Sequence, residues 1–184
     1  MRLPAGESGY TITEMLTVMV IMTIVMTGLV SVFTAASGAQ NDRDRRYQAQ
    51  QNTRLALDKL RRDVHCAYDV TPNTPNPWST AQSTVTLKNT ACTGGDVSWC
   101  TAAVSGYSNR WALYRQLGTS CASGSGVKQA DYLTTSTPFS AFAHVAGCGC
   151  LASLGVTFPI SITGSTVGAY KLNDTLYLRN STRI

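Results

Sequence analysis

The residues with the most chemical latitude in this chain are six cysteines, two histidines and one glutamate placed at the mouth of a long apolar run. Cys66, Cys92, Cys100, Cys121, Cys148 and Cys150 could ligate a metal, attack an electrophile or pair as disulfides. A metal site needs thiolates at ligand spacing. The chain has a single Cys-x-Cys, at Cys148 and Cys150, and no Cys-x-x-Cys, so no metal is expected. All six cysteines follow the apolar run, and an even number in a segment that leaves the cytoplasm points to disulfides. Spacing leaves the pairing open, except that Cys148 and Cys150 are so close that each is expected to reach a distant partner.

The other candidates for catalysis are sparse. His65 falls on a helical pattern beside Cys66, and His144 lies in "FAHVAG"; no nucleophile-elbow sequence accompanies either. Acids after residue 68 are scattered singly, which gives neither a carboxylate pair nor a calcium loop. No phosphate-cradling glycine motif occurs, and "TGGD" and "ASGSG" read as turns. The chain is therefore read as a non-enzyme without cofactors. Trp99, Tyr107, Arg110, Trp111 and Arg115 interleave aromatic and basic residues, as a single-strand nucleic-acid platform would. In a strand over 110–117, however, Arg110 and Trp111 point to opposite faces, while Trp111, Leu113 and Arg115 share one. Packing is the stronger reading, and nucleic acid the weaker one. The net charge of +5 suits an ordinary solvated surface.

Glu14 needs its own explanation. From Met15 through Asn41 no residue is charged, and Met15 to Phe33 reads MLTVMVIMTIVMTGLVSVF. As a helix that stretch covers about 28 Å, one hydrocarbon core. A helix bonds its own backbone groups, as lipid requires, so the segment is read as membrane-inserted. A carboxylate beside it is costly.

The elements that position these residues follow from pattern. No proline interrupts from residue 5 through residue 71. Tyr47, Leu57, Leu60, Val64 and Ala67 approximate helical spacing, with Arg54, Asp58, Arg61 and Arg62 on other faces. Asp58 and Arg62 are set four apart in the favourable acid-first order. One helix is expected from about Tyr10 to about Asp69, ended by "TPNTPNP". Gly28 and Gly38 are read either as flexible joints or as contacts with another helix. Beyond Trp78, "STVTLKN", "RWALYRQL", "LASLGVTFPISI" and "AYKLNDTLYLRN" read as strands of an antiparallel sheet, with a tight turn at Asn173 and Asp174. The fold class is α+β. The divisions are a leader (1–9), an apolar half-helix (10–36), an amphipathic half-helix (37–70) and a β-rich head (71–184).

"GYTITE", residues 9–14, followed by the apolar run, resembles the class III signal of type IV pilin-like proteins. The resemblance implies a pilin-like fold and a prepilin peptidase that cuts between Gly9 and Tyr10 and methylates the new amine of Tyr10. Glu14 would then meet the amine of a neighbouring pilin subunit as an assembly platform of the inner membrane moves subunits from lipid into a filament. Tyr10 stands where Phe is usual, and Thr13 where a larger apolar residue is commoner. The leader holds only Arg2 as a base, whereas "NDRDRR" flanks the far side, against the positive-inside expectation. The motif and the cysteines nonetheless imply an N-in, single-pass protein with its head outside. "RLALDKLRRDVHCAY", "LASLGVTFPISI" and "YKLNDTLYLRN" loosely resemble PilW-like minor pilins and J-type pseudopilins, which implies a low-abundance subunit of a pilus, or of a type II secretion or DNA-uptake system.

Two other classes compete. "ASGA", ending at Ala39, resembles a signal-peptidase site that would free a soluble domain starting at Gln40. Against it stand the length of the run and the acids Glu7 and Glu14. A plain signal-anchored membrane protein would keep its leader intact.

Overall fold

The computed structural model describes residues 10–73, 75–88, 92, 94–121, 125–144 and 149–181. The chain divides into two compact units, Met1–Asp44 and Arg45–Ile184. One helix, α1 (Ile12–Cys66), supplies the described helical residues of the first unit and opens the second. Thr11 starts it: its carbonyl accepts the N–H of Glu14 at 3.1 Å and of Met15 at 3.2 Å, and its hydroxyl lies 3.4 Å from the Glu14 N–H. This is the Ser/Thr-x-x-Glu start that satisfies otherwise orphaned amides. The helix ends before the prolines expected to stop it. Ala67 donates to both Asp63 and Val64 at 3.1 Å, a tightened last turn, and the Asn180 side chain caps the Cys66 carbonyl at 2.9 Å.

Eight strands follow: β1 (Asp69–Thr71), β2 (Thr84–Lys88), β3 (Val97–Ala103), β4 (Trp111–Leu117), β5 (Val127–Leu133), β6 (Phe139–Ala143), β7 (Ala152–Ile160) and β8 (Tyr170–Leu178). They form one antiparallel sheet in the order β1-β2-β3-β4-β5-β7-β6, with β8 on the other side of β7. Strand β7 shows the period-two burial of a half-buried strand along its whole length. Its Leu154, Val156 and Phe158 join Leu57, Leu60 and Val64 of the helix and Trp99, Leu113 and Leu133 of the sheet in one core. Gly126 is required where it stands: a Cβ there would lie 2.8 Å from the Arg115 carbonyl oxygen, on the strand paired through Arg115 and Val127.

Several local expectations need correction. Tyr47 is 62% exposed, and Ala49, Thr53, Ala56 and Asp63 take the buried face instead. Asp58 pairs with Arg61 at 3.0 Å, where Arg62 was expected; Arg61 is held in place by a second bond to Asp174 at 2.7 Å. No turn forms at Asn173–Asp174. Strand β8 runs straight through, pairing Asn173 with Thr157 and Asp174 with Val156, because Asp174 faces Arg61 and the neighbouring Leu172 and Leu176 pack inward. Gly28 and Gly38 lie inside the helix, and a Cβ at either would meet nothing within 4 Å, so neither is a contact within this chain.

Candidate functional site

The first unit presents the membrane-type surface. Every large apolar side chain from Ile12 to Phe33 is between 52% and 82% exposed. Between Met15 and Phe33 the helix carries apolar side chains on every side and no charged residue, with the hydroxyls of Thr23, Thr27, Ser31 and Thr34 sharing one face, and it is long and apolar enough to cross a membrane. Full burial of each large side chain is worth roughly 1.5–3 kcal/mol, and most of that is still to be gained. The hydroxyls do not oppose it. Thr17, Thr23, Thr27, Ser31 and Thr34 each donate to a helix carbonyl three or four residues back, at 2.7–3.0 Å. No hydroxyl of that set needs water, so the run behaves toward its surroundings as more apolar than its composition.

Glu14 is the one acid of that run, in the first turn of α1. Its carboxylate accepts from the Thr11 hydroxyl at 3.4 Å, a side-chain contact in place of the backbone-amide bond of a full capping box. The local geometry therefore gives Glu14 a helix-start role independent of any neighbour, and a carboxylate there also suits the helix dipole. Tyr10 is 79% exposed and precedes the helix. Gly9 and the rest of the leader lie outside the described residues.

The second unit is fastened by bonds that spacing alone did not reveal. Cys66 at the helix end bridges to Cys92, and Cys100 of β3 bridges to Cys121 beyond β4, with Cα–Cα distances of 5.9 and 6.0 Å. Cys150 is disulfide-bonded too. Cys148 lies outside the described residues.

A buried ion pair ties helix to sheet. Asp63 accepts from Arg115 Nε at 2.7 Å and Nη2 at 3.1 Å, and from the Trp99 indole N–H at 2.9 Å. Arg115 and Trp99 are thereby explained as packing residues. Asp63 was legible in principle, since it falls on the same helical face as Ala56, Leu60, Val64 and Ala67.

The remaining aromatic–basic residues gather elsewhere. The β4–β5 ladder shifts register between Trp111 and Leu113, and on the β5 side Tyr132 adopts φ 65°. Arg110 then lies between two rings, 3.8 Å from the Tyr132 centroid and 4.5 Å from that of Tyr107. Asp131 receives Arg110 Nε and Nη2 at 2.9 Å and Lys128 at 3.1 Å. Burial pushes the Asp131 carboxyl up, but hydrogen bonds from Arg110, the Tyr132 N–H and Lys128 outweigh it and hold the carboxyl below its ordinary value. Of the three aromatic residues singled out in the sequence, Tyr107 faces Arg110, Trp111 packs half-buried against the core and Trp99 is fully buried.

His65 sits at the helix end, where burial first, then Arg179 and Arg61, depress its pKa. The His144 backbone is bracketed by the Asn76 side chain, its N–H donating at 2.9 Å. Among the described residues no group of three or more His, Cys, Asp or Glu could hold a metal ion. No family model matches the chain, and neither a curated protein nor a solved structure is detectably similar to it.

Proposed function

We propose that this chain is a minor subunit of a type IV pilus-like filament, made as a precursor and assembled through its N-terminal helix. The supporting observation is the coincidence of "GYTITE" with the start of a helix whose stretch from Met15 to Phe33 exposes apolar side chains on every side. Such a surface calls either for lipid or for other apolar helices. A subunit that waits in the cytoplasmic membrane and then trades lipid for the helices of its sisters uses both. The head fits an oxidising exterior, because its described cysteines are all disulfide-bonded. In this reading a prepilin peptidase cuts after Gly9 and methylates Tyr10, and Glu14 meets the amine of a neighbouring subunit. The Thr11–Glu14 capping pair is weak enough to be exchanged: at 3.4 Å its side-chain bond is long. A pseudopilin of a type II secretion or DNA-uptake machine would use the same chemistry.

The test is a Glu14→Ala variant beside a Thr11→Ala variant. If Glu14 guides entry, Glu14→Ala is processed and inserted but recovered from sheared filaments at a small fraction of the parental amount. Thr11→Ala, which loses only the cap, should assemble far better. Equal recovery of Glu14→Ala and the parent would leave Glu14 as a helix cap alone and overturn its assembly role.

A further inference from the structure

Strand β5 leaves part of one sheet edge open. It pairs with β4 from Val127 to Leu133, but it meets β7 only at Leu133 and Ile160, and the backbone bonds from Ser161 to Tyr132 and from Thr134 to Pro159 lie at that same end. Among the described residues no other strand runs beside residues 127–131. A free strand edge presents amides and carbonyls spaced for one more extended chain. Across from it stands α1, over a groove of about 450 Å³ lined by Asn52, Leu55, Ala56, Lys59 and Arg62 of the helix and Gln129 of the strand. Leu55 in the groove and Val127 at the start of the strand are 65% and 68% exposed, which leaves apolar surface for an added chain to cover.

The free edge is plugged from within the chain. The Gln129 side chain folds back on its own strand: Nε2 donates to the Val127 carbonyl at 3.0 Å, and Oε1 accepts from Lys59 Nζ at 3.2 Å. Both bonds have a better partner in an added strand. A backbone N–H replaces the first, and a carboxylate, the stronger acceptor for an ammonium, replaces the second. Arg62 makes no ion pair among the described residues, Asp58 engaging Arg61 instead, and no acid lines the groove. The open edge therefore calls for an extended peptide, and the two cations call for carboxylates on it. Among the described residues a second copy of this chain offers none. The acids of the head are engaged, Asp69 by the Val70 N–H, Asp96 by Lys88, Asp131 by Arg110 and Asp174 by Arg61, while Asp42, Asp44 and Asp58 lie in the helix.

We propose that the open edge of β5 receives, by strand addition, an extended acidic segment of a different protein, with its backbone on residues 127–131 and its carboxylates on Lys59 and Arg62. The test is calorimetric titration of the full chain in detergent micelles with three probes. One is the capped peptide Thr-Glu-Val-Glu-Val-Glu-Thr, the second carries Lys in place of each Glu, and the third is the acidic peptide with every backbone nitrogen methylated. The acidic peptide should bind at least about tenfold more tightly than either control, the scale of one or two hydrogen bonds. The double variant Lys59→Ala/Arg62→Ala should weaken it by about fivefold, as for exposed ion pairs, at an unchanged melting temperature. Gln129→Ala, which removes the plug, should tighten it. Equal binding of the methylated peptide would reduce the groove to a charged patch and overturn strand addition. No binding of the acidic peptide at millimolar concentration, or a preference for the lysine peptide, would overturn it as well. Dimerisation of the chain that the double variant abolishes would make a second copy the occupant and overturn the assignment to a different protein.

Discussion

Replacing Asp63 by alanine is the sharpest perturbation of the head. Asp63 and Arg115 are 8% and 18% exposed at the side chain, so their pair is largely cut off from solvent screening. The carboxylate accepts from both Arg115 nitrogens and from the Trp99 indole. Removing one partner of a buried pair costs about 3–5 kcal/mol, because the remaining charge stays desolvated. The indole N–H, on a side chain with no exposure, would also lose its acceptor. These losses share one network and do not add, so about 4 kcal/mol is the working figure. For a domain of this size that corresponds to a melting-temperature drop of roughly 10–15 °C. Thermal melts of the full chain in detergent, followed by tryptophan fluorescence with disulfides intact, read it directly. The companion variant Asp63→Leu/Arg115→Met removes both charges and should recover most of the loss. A loss below about 1 kcal/mol for Asp63→Ala, the scale of an exposed pair, would refute the claim that this contact clamps helix to sheet. So would a double variant as unstable as the single one.

Removing the Cys66–Cys92 bridge by double alanine substitution should cost about 3 kcal/mol, from the chain entropy of a loop spanning 26 residues, readable in urea titrations against the parent. Asp131 sets one part of the acid limit. Its folded value lies below the ordinary carboxylate value of about 3.9, so its contribution is complete above that value and is lost as pH falls through the folded one. Asp131→Asn should therefore lower stability at neutral pH and flatten the acid limb of the stability profile. His65 has the same sign at higher pH: its depressed pKa makes the neutral form the one the fold favours. Stability should fall as pH drops below about 6.5, and His65→Gln should remove that step.

The parts of the fold that were legible in the sequence are those set by a local period. The helix rests on an unbroken stretch without proline, and β2, β4 and β7 on runs of Val, Thr, Trp and Leu. What was not legible depends on partners far along the chain. Asn173 and Asp174 look like a turn in isolation, yet Arg61, 113 residues away, gives Asp174 a reason to stay in a strand. Tyr47 fits the apolar spacing, but the face is decided by where the sheet lies, and small Ala49 and Thr53 pack there instead. Strand β1 was missed because Asp69–Thr71 falls where the helix was expected to end, and β3, β5 and β6 because polar and small residues dilute their alternation. At the candidate site, Glu14 was found by its oddity. The capping bond from Thr11, which gives it a local role, follows from a three-residue spacing that was open to reading.

The account depends most on the apolar helix remaining in the mature protein after a cut at Gly9. Intact-mass and N-terminal peptide mass spectrometry of the protein isolated from its native cells measures this directly. The account predicts a chain beginning at Tyr10 with one added methyl on its amine. A chain beginning at Gln40, or one retaining residues 1–9, would contradict it.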